Sequence, residues 1–161
     1  MDKPNTLKPH IESAYKAYSD MLYRVALAQL NNGEDAQDAV QDVFLKYISY
    51  SGSFKDEEHQ RAWLLRVTVN VCRDVQRKHK VRRLFDEENS LCDTDVSDSG
   101  RYELFETLGL IPEKYKAVVI LHCLEGLSLK ETAEVLGISL SAAKMRLSRA
   151  RDALREEKHS V

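Results

Sequence analysis

The sequence contains few of the residues that build turn-rich or cross-linked proteins. Only 6 glycines and 3 prolines occur in 161 residues, which argues against a β protein with many tight turns. The three cysteines, Cys72, Cys92 and Cys123, are far apart and form no Cys-x-x-Cys pair, so the sequence supports neither a zinc ribbon nor a redox motif. We expect these thiols to be reduced, as is usual in the cytosol.

Long apolar runs and catalytic motifs are also missing. No stretch approaches the ~18 consecutive apolar residues of a membrane span, and the first ten residues, MDKPNTLKPH, lack the apolar core of a signal peptide. The sequence contains no recognisable nucleophile–base pair, glycine-rich phosphate loop or metal-ligand cluster. We therefore expect a cytoplasmic protein that is not an enzyme, needs no cofactor and does not insert into a membrane.

Residues 126–157 are the most informative part of the chain and read GLSLKETAEVLGISLSAAKMRLSRARDALREE. Ser128 and Glu131 have the spacing of a capping box at a helix start, and Gly137 fits a left-handed helix end. Ser139 is a candidate cap for a second helix, which is basic. Two helices joined by a glycine turn, the second one basic, are typical of a helix-turn-helix that binds DNA. The alternative is an ordinary helical hairpin with a solvated charged face.

Charge is unevenly distributed along the chain, although the formal net charge is only −2. Residues 61–83 contain eight basic side chains and one acidic one, whereas residues 84–103 contain one basic side chain and seven acidic ones. A basic segment beside an acidic, aperiodic one indicates a polyanion-binding surface next to a solvated linker.

The basic segment has the periodicity of a helix. Its β-branched residues 67–69 alone would suit a strand, but the apolar residues from Leu64 to Val75 recur at helical spacing. A basic stripe of this length can follow a phosphate backbone; arginines that snorkel over a surface helix are the alternative. For Trp63, which lies beside the stripe, we expect core packing rather than a base contact. The stripe consists of Arg66, Asn70, Arg73, Arg77 and Lys80.

An upstream segment, DAQDAVQDVFLKYI from Asp35, is also amphipathic at about 100° per residue. Its polar side is either a solvated surface or a docking surface. A metal site is disfavoured, because the segment lacks the Glu-x-x-His partners of a helical carboxylate centre. The apolar side consists of Ala36, Ala39, Val40, Val43, Phe44 and Tyr47, and the polar stripe of Asp38, Gln41, Asp42 and Leu45.

Together these patterns predict an all-α protein made of two small helical domains. The first domain covers residues 1–83 and begins with a helix from about Ile11 to Leu30. The second covers residues 101–161 and contains the helix-turn-helix. An acidic flexible linker, residues 84–100, joins them. The apolar run YKAVVILHCLEG precedes the helix-turn-helix, and His122 and Cys123 within it are predicted to be core residues.

Several of these stretches are similar to one known family. They are DAQDAVQDVFLKY, RAWLLRVTVN, the basic run to Arg83, IPEKYKAVVILHCLEGLSLKETAEVLGIS and AAKMRLSRARDALR. In this order, and over nearly the whole chain, they resemble the extracytoplasmic-function sigma factors of bacteria. The resemblance implies a protein that joins core RNA polymerase and directs it to particular promoters.

The resemblance also implies a role for each domain. The first, called region two, would dock on the β′ clamp helices and open the minus-ten element. The second, region four, would sit on the β flap and read the minus-thirty-five element. An anti-sigma protein is a further candidate partner, because the family is often held inactive by one.

Residue roles follow from the same resemblance. By resemblance, the residues that dock on core polymerase are Asp38, Gln41, Asp42 and Leu45. The minus-ten readers are the loop Ser49–Gln60, in particular Ser53 and Phe54, together with Trp63, Arg66, Asn70, Arg73, Arg77 and Lys80. The minus-thirty-five readers are Lys144, Met145, Ser148 and Arg149. Ala143 stands where the family usually has a larger β-branched residue, and Met145 and Ser148 are unusual readers, so the resemblance does not define the promoter sequence.

Two functions of other classes stay open on the residues alone. A dimeric helix-turn-helix repressor would need an uninterrupted apolar dimerisation seam, whereas the first half of the chain carries polar stripes. A helical enzyme built on the acidic stripe would need converging His or Cys ligands, which the sequence does not offer. A repressor would bind duplex DNA alone, whereas a sigma factor would need core polymerase.

Overall fold

The computed structural model describes residues 3–85 and 99–159, and every regular element in these two ranges is a helix. The all-α prediction is therefore confirmed for the described part of the chain. Most of the predicted linker, residues 86–98, lies outside these ranges, and so does Cys92. The flanking helices reach into both ends of the predicted linker, because one ends at Phe85 and the next begins at Ser99.

Three long helices build the first half: α1 (Lys3–Leu30), α2 (Gly33–Ser49) and α3 (Glu57–Phe85), each packed on the other two. α1 starts at Lys3, earlier than the predicted Ile11. The chain turns from α1 into α2 at Asn31, whose φ is 52°. The Asn32 side chain then accepts a 3.0 Å hydrogen bond from the Asp35 amide, which caps the start of α2.

The apolar faces predicted for α2 and α3 are the buried faces of these helices. All six predicted apolar residues of α2 are buried. In α3, Leu64, Leu65 and Cys72 have no solvent exposure. Thr68 is equally buried and donates its hydroxyl to the Leu64 carbonyl at 2.7 Å, so burial leaves no unmade hydrogen bond. The helical interpretation of residues 67–69 is thereby confirmed.

The second half contains α4 (Ser99–Gly109), α5 (Glu113–Val118), α6 (Leu129–Leu136) and α7 (Leu140–His159). α5 continues directly into a π-helical segment, Val119–Leu124. α7 packs against α5 and α6. Its apolar side chains recur at steps of four, three and four residues; Ala143, Leu147 and Ala150 are buried and Leu154 is half-buried.

The π-helical segment changes which residues of the apolar run reach the core. The Glu125 amide donates to the Ile120 carbonyl, five residues back, at 3.0 Å. This wider turn rotates the side chains relative to an α-helix. Ile120 and Leu121 are buried, whereas His122 is only half-buried and Cys123 is exposed. The prediction that Cys123 is a core residue is therefore wrong, because an apolar run alone does not say which side chains the π-helical turn buries, and His122 meets the prediction only in part.

The two halves lie against each other. α3 packs on α6, and α1 packs on the π-helical segment. Leu65 of α3 lines a cleft together with Leu127 and Val135 of the second half, and all three side chains are buried. One apolar core consequently runs through both halves.

Candidate nucleic-acid interface

The helix-turn-helix has the local chemistry that its sequence predicts. The Ser128 hydroxyl accepts the Glu131 amide at 3.0 Å, and the Glu131 carboxylate accepts the Ser128 amide at 3.2 Å, which completes the capping box. Gly137 ends α6 with φ 67° and ψ 34°, a left-handed conformation that favours glycine. The Ser139 hydroxyl accepts the Ala142 amide at 3.1 Å and so caps α7.

The predicted base readers of α7 all lie on its open side. Lys144, Met145, Ser148 and Arg149 are exposed, and Met145 is 57% exposed although it is apolar. They occupy the first half of α7, which is the part of a recognition helix that contacts base edges in the major groove. The structure therefore brings these four side chains to one accessible surface.

A second candidate surface lies between α2 and α3, where four aromatic rings meet. This aromatic cluster consists of Tyr47, Tyr50, Phe54 and Trp63. The ring centroids of Tyr50 and Trp63 are 4.7 Å apart, those of Tyr50 and Phe54 are 5.2 Å apart, and those of Phe54 and Trp63 are 5.6 Å apart. Trp63 is half-buried. It packs in the cluster, in agreement with the expected packing role, and stays partly accessible.

The cluster borders a cavity of about 580 Å³, whose lining includes Ser53, Phe54 and Gln60. This volume lies within the range of small-ligand pockets. Gly52 allows the loop to pass close to the aromatic rings, because a Cβ there would lie 2.4 Å from the Tyr50 ring. Aromatic rings beside a cavity are a means of holding an unpaired base by stacking.

Hydrogen bonds fix the loop that carries Ser53 and Phe54. The Asp56 carboxylate accepts the His59 amide at 2.8 Å, and the Lys55 amide donates to His59 Nδ1 at 3.0 Å. Within the cavity lining, Gln60 donates to the Tyr47 hydroxyl at 2.9 Å, and that hydroxyl lies 2.7 Å from His10 Nε2. Burial raises the pKa of Tyr47, and the hydrogen bond from Gln60, which lowers it, offsets only part of this rise. The phenol therefore keeps its proton at neutral pH.

The predicted basic stripe of α3 is divided by the structure. Asn70, Arg77 and Lys80 are exposed, and Arg73 is half-buried. Arg66 is bonded to the other half of the molecule: its Nε donates to the Val135 carbonyl at 3.0 Å, and its Nη2 donates to the Glu134 carbonyl. Four members of the stripe thus lie on α3 beyond this contact, whereas Arg66 is engaged by α6.

The polar stripe of α2 is a separate surface. Asp38, Gln41 and Asp42 are exposed, and Leu45 is 60% exposed. The structure adds Ile48, also exposed, which the sequence analysis missed. Asp42 and Leu45 border a groove of about 270 Å³. Carboxylates around exposed apolar side chains are suited to contact another protein.

The described residues offer little for metal or thiol chemistry. They contain no group of three or more His, Cys, Asp and Glu side chains arranged to hold a metal ion. Burial raises the pKa of the Cys72 thiol to about 12, so this cysteine is not a nucleophile at neutral pH. Within the same residues, no helix is long and apolar enough to cross a membrane.

Comparison with known proteins connects both halves to transcription initiation. Residues 14–82 match the family of sigma-70 region 2, and residues 101–154 match that of sigma-70, region 4. The RNA polymerase sigma factor SigV of Bacillus subtilis is 30% identical over 93% of this chain and 92% of its own length. The sigma factor CnrH of Cupriavidus metallidurans is 32% identical over 84% of this chain and 83% of its own.

Solved structures agree on the fold. CnrH in complex with the cytosolic domain of CnrY superposes with a TM-score of 0.71 at 26% identity, over 95% of this chain and 90% of that one. The sigma factor RpoE from Bartonella quintana, solved with the anti-sigma factor NepR, superposes with a TM-score of 0.73 at 21% identity, over 90% of this chain and 94% of that one. At that identity the second likeness concerns the fold alone.

The helix-turn-helix half and the helical half before it thus match two regions of one class of protein, the sigma factors of RNA polymerase. The chain belongs to the extracytoplasmic-function sigma factors. It works with core RNA polymerase and promoter DNA to direct promoter-specific transcription initiation, and it is an initiation factor of bacterial type, not an enzyme.

Proposed function

We propose that the two halves divide promoter recognition between them. Residues 1–83 form the region-two domain, which opens and reads the minus-ten element, and residues 101–161 form the region-four domain, which reads the minus-thirty-five element. The observation that carries this proposal is the cavity beside the aromatic cluster, next to a helix with a basic stripe. A surface that only follows duplex DNA has no use for such a cavity.

In this proposal the cavity holds a base that has left the duplex. Extruding a base costs a few kcal/mol of stacking and pairing, and stacking on aromatic side chains offsets part of that cost. Phe54 supplies the aromatic surface of the cavity, with Trp63 packed against its ring, and Ser53 supplies a hydrogen-bonding group. Asn70, on α3 outside the cavity lining, contributes a further polar contact. Arg73, Arg77 and Lys80 then bind the phosphates of the same strand.

In this proposal, α7 reads the minus-thirty-five element. Lys144 donates to base acceptors such as guanine O6 and N7, while Arg149 reaches either a base or a phosphate. Met145 and Ser148 complete the reading surface by apolar and hydroxyl contacts.

The polar stripe of α2 is the proposed docking surface for the β′ clamp helices. Asp38, Gln41 and Asp42 supply charge and hydrogen-bond acceptors around the exposed Leu45. The region-four domain binds the β flap. Cytoplasmic localisation is part of the same proposal, because core polymerase and the chromosome are there.

The docking proposal predicts that Asp42→Arg weakens binding to core polymerase without harming the fold. Asp42 is exposed, and surface substitutions away from special features usually change stability by less than ~0.5 kcal/mol. Affinity for purified core polymerase and the melting temperature are the two measurements. Glu12→Arg is the matched control, since Glu12 is an exposed carboxylate on α1. Unchanged core affinity for Asp42→Arg would contradict the docking surface.

Run-off transcription tests the proposed function as a whole. Purified chain and core polymerase are combined with a library of genomic promoter fragments, and enriched transcripts define the promoter. We expect initiation from a discrete set of fragments that share two elements. Equal transcription with and without the chain would contradict the proposal.

We further propose that an anti-sigma protein regulates this chain, since CnrH was solved in complex with the cytosolic domain of CnrY. The test is a two-hybrid screen with the full chain, followed by run-off transcription in the presence of each purified partner. A partner that binds without inhibiting transcription would not be an anti-sigma protein.

A further inference from the structure

The cavity beside the aromatic cluster contains three hydrogen-bonded side chains that come from three different helices. Gln60 of α3 donates from Nε2 to the hydroxyl of Tyr47 on α2, at 2.9 Å. The same hydroxyl lies 2.7 Å from Nε2 of His10 on α1. Tyr47 is 6% exposed, and all three side chains line the cavity. These three residues are called the cavity chain below.

The hydrogen bonds of the cavity chain run in one direction. The Tyr47 oxygen accepts from Gln60, so the single hydroxyl hydrogen is donated to His10 Nε2. Burial raises the pKa of Tyr47, so the phenol holds this hydrogen at neutral pH. Because Tyr47 can only accept from Gln60, the amide must turn its NH2 group toward Tyr47. The position of the amide oxygen is thereby fixed as well.

The free edge of the Gln60 amide is the part of the chain that a ligand can use. Gln60 is half-buried, and no hydrogen bond to its Oε1 is recorded among the described residues. Within the same residues, Oε1 is not one of the buried polar atoms that lack a partner, so it is open to solvent or to a ligand. An amide nitrogen carries two hydrogens, and Tyr47 takes one of them. Gln60 therefore offers the cavity an acceptor beside a donor.

The other polar groups of the lining determine which ligand fits. Asp56 and Glu57 line the cavity, and a carboxylate only accepts hydrogen bonds. Among the described residues of the lining there is no lysine or arginine. Such a lining repels phosphate and carbonyl oxygens and attracts N–H groups. The cavity is therefore suited to the edge of a base that carries an amino group.

We propose that Gln60 is a specificity-determining residue of the minus-ten pocket and selects an unpaired base with an exocyclic amino group, cytosine or adenine. This inference rests on the proposed function, in which the cavity holds a base that has left the duplex. In both bases the amino group lies beside a ring nitrogen that accepts a hydrogen bond, so the amide edge can bond to both atoms at once, as glutamine does with adenine. Thymine and guanine instead bring a carbonyl oxygen to a lining that contains carboxylates.

Tyr47 and His10 are positioning residues in this proposal, because they act through Gln60. Without the Tyr47 hydroxyl the amide can turn over, which exchanges the places of its oxygen and its NH2 group. The turned amide suits thymine and guanine as well. Loss of the hydroxyl should therefore remove the selectivity, although the cavity and its aromatic rings remain.

Forked promoter templates test the base class with holoenzyme, on a promoter identified by run-off transcription. The minus-ten stretch of the non-template strand is unpaired, and each of its positions carries in turn cytosine, uracil, adenine or hypoxanthine. Uracil and hypoxanthine are cytosine and adenine with the amino group replaced by a carbonyl oxygen. We expect one position at which each replacement lowers holoenzyme affinity about tenfold, a factor within the range of one good amide–base pair.

Two variants assign this preference to the cavity chain. Gln60→Met keeps the length of the side chain but removes both hydrogen-bonding groups, so the preference should fall to less than about twofold. Tyr47→Phe keeps the ring and should lower the preference in the same way. The matched controls are Gln37→Met and Tyr15→Phe, since both residues are exposed and lie outside the cavity lining; their preference should equal that of the parent chain. Melting followed by circular dichroism checks the fold of each variant.

Each outcome decides a separate step. If uracil and hypoxanthine bind as well as cytosine and adenine at every position, the amino-base preference is overturned. A preference that persists in Gln60→Met shows that another residue reads the base. A preference that persists in Tyr47→Phe but not in Gln60→Met overturns the positioning role alone. Failure of the proposed function looks different: the parent holoenzyme would bind the forked templates no better than core polymerase does, whichever base they carry, and this inference would fall with it.

Discussion

α3 and α7 are both basic amphipathic helices, yet the side chains that we propose to contact DNA are held in different ways. On α7, Lys144, Ser148 and Arg149 extend into solvent from a helix whose start is fixed by a serine cap. On α3, Trp63 packs in the aromatic cluster and Arg66 is bonded to α6. One helix presents a free surface, and the other belongs to a constrained site.

In the proposed function, this difference matches the two forms of DNA that the two helices would contact. The edges of paired bases are accessible in the major groove, so a helix that fits the groove needs only exposed side chains of the right length. An unpaired base must be stabilised after it leaves the stack, which needs a cavity with rigid walls. The comparison predicts that α7 variants change which promoter is bound, whereas variants around α3 change whether the promoter opens.

Phe54→Ala should have the largest effect, because it removes a ring that contacts Tyr50 and Trp63 and lines the cavity. Base–aromatic stacking is worth ~1–3 kcal/mol per base, so we expect a loss of open complexes near the upper end of that range. Closed-complex affinity should change little. Permanganate footprinting and filter binding measure the two steps.

Tyr15→Ala is the control for Phe54→Ala. Tyr15 is an exposed aromatic residue that contacts Phe44 and does not line the cavity. If both variants open promoters equally well, the cavity does not hold a base.

Lys144→Ala should cost about 1–3 kcal/mol at the cognate promoter and relax the preference at one base pair. Arg155→Ala, near the other end of α7, should weaken binding slightly and uniformly and reduce the salt slope by about one at most. The measurement is holoenzyme affinity for promoters mutated across the minus-thirty-five element, at two salt concentrations. A uniform loss in Lys144→Ala would make this residue a backbone contact.

Asn70→Ala should act on opening more than on binding, by ~1 kcal/mol, the net worth of one hydrogen bond. Asn70 is uncharged and lies one turn from Arg66 on the exposed side of α3. If Asn70 contacted only a phosphate, Asn70→Ala should lower binding and opening in the same way as Arg77→Ala. Rates of open-complex formation and closed-complex affinities of the two variants separate these roles. Equal losses in both steps for Asn70→Ala would place it with the phosphate contacts.

Elements defined by local chemistry or by a continuous pattern could be predicted from the sequence. The buried face of α2 follows from 3.6-residue periodicity, since an amphipathic helix has one way to bury its apolar side. Ser128 and Gly137 mark the ends of α6 because caps depend on residues only a few positions apart. The exposure of Asp42 and Lys144 follows by the same reasoning, whereas their roles stay predictions.

Features that depend on distant parts of the chain could not be predicted in this way. The cavity involves His10, Tyr47 and Gln60, which come from three helices. A partial signal was present, because aromatic residues at positions 47, 50 and 54 lie close to Gly52 in the sequence. Arg66 meets α6 across 69 residues of sequence, and no local pattern distinguishes its engaged guanidinium from that of Arg77.

The smallest predicted effect concerns α6, the helix that packs on both α3 and α7. Its Glu131 has a pKa lowered from the ordinary 4.5, mainly by the hydrogen bond from the Ser128 amide, then by the Ser128 side chain, and with a contribution from Arg61. A lowered folded-state pKa contributes stability above the ordinary value, and this contribution is lost as the pH falls through the folded-state value. Glu131 is 46% exposed, so solvent screening limits the contribution to less than about 1 kcal/mol.

Glu131→Gln isolates this charge, because glutamine keeps the reciprocal hydrogen bond of a capping box but cannot ionise. The free energy of unfolding, measured in urea from neutral pH into the acid range below the ordinary pKa of 4.5, should be higher for the parent chain than for the variant at neutral pH. The difference should vanish in acid, where the parent carboxyl is protonated as well. Ser128→Ala should instead lower stability by ~0.5–2 kcal/mol at every pH, since it removes the cap itself. A pH-independent difference between the parent chain and Glu131→Gln would mean that the charge of Glu131 stabilises neither the start of α6 nor its contact with α3.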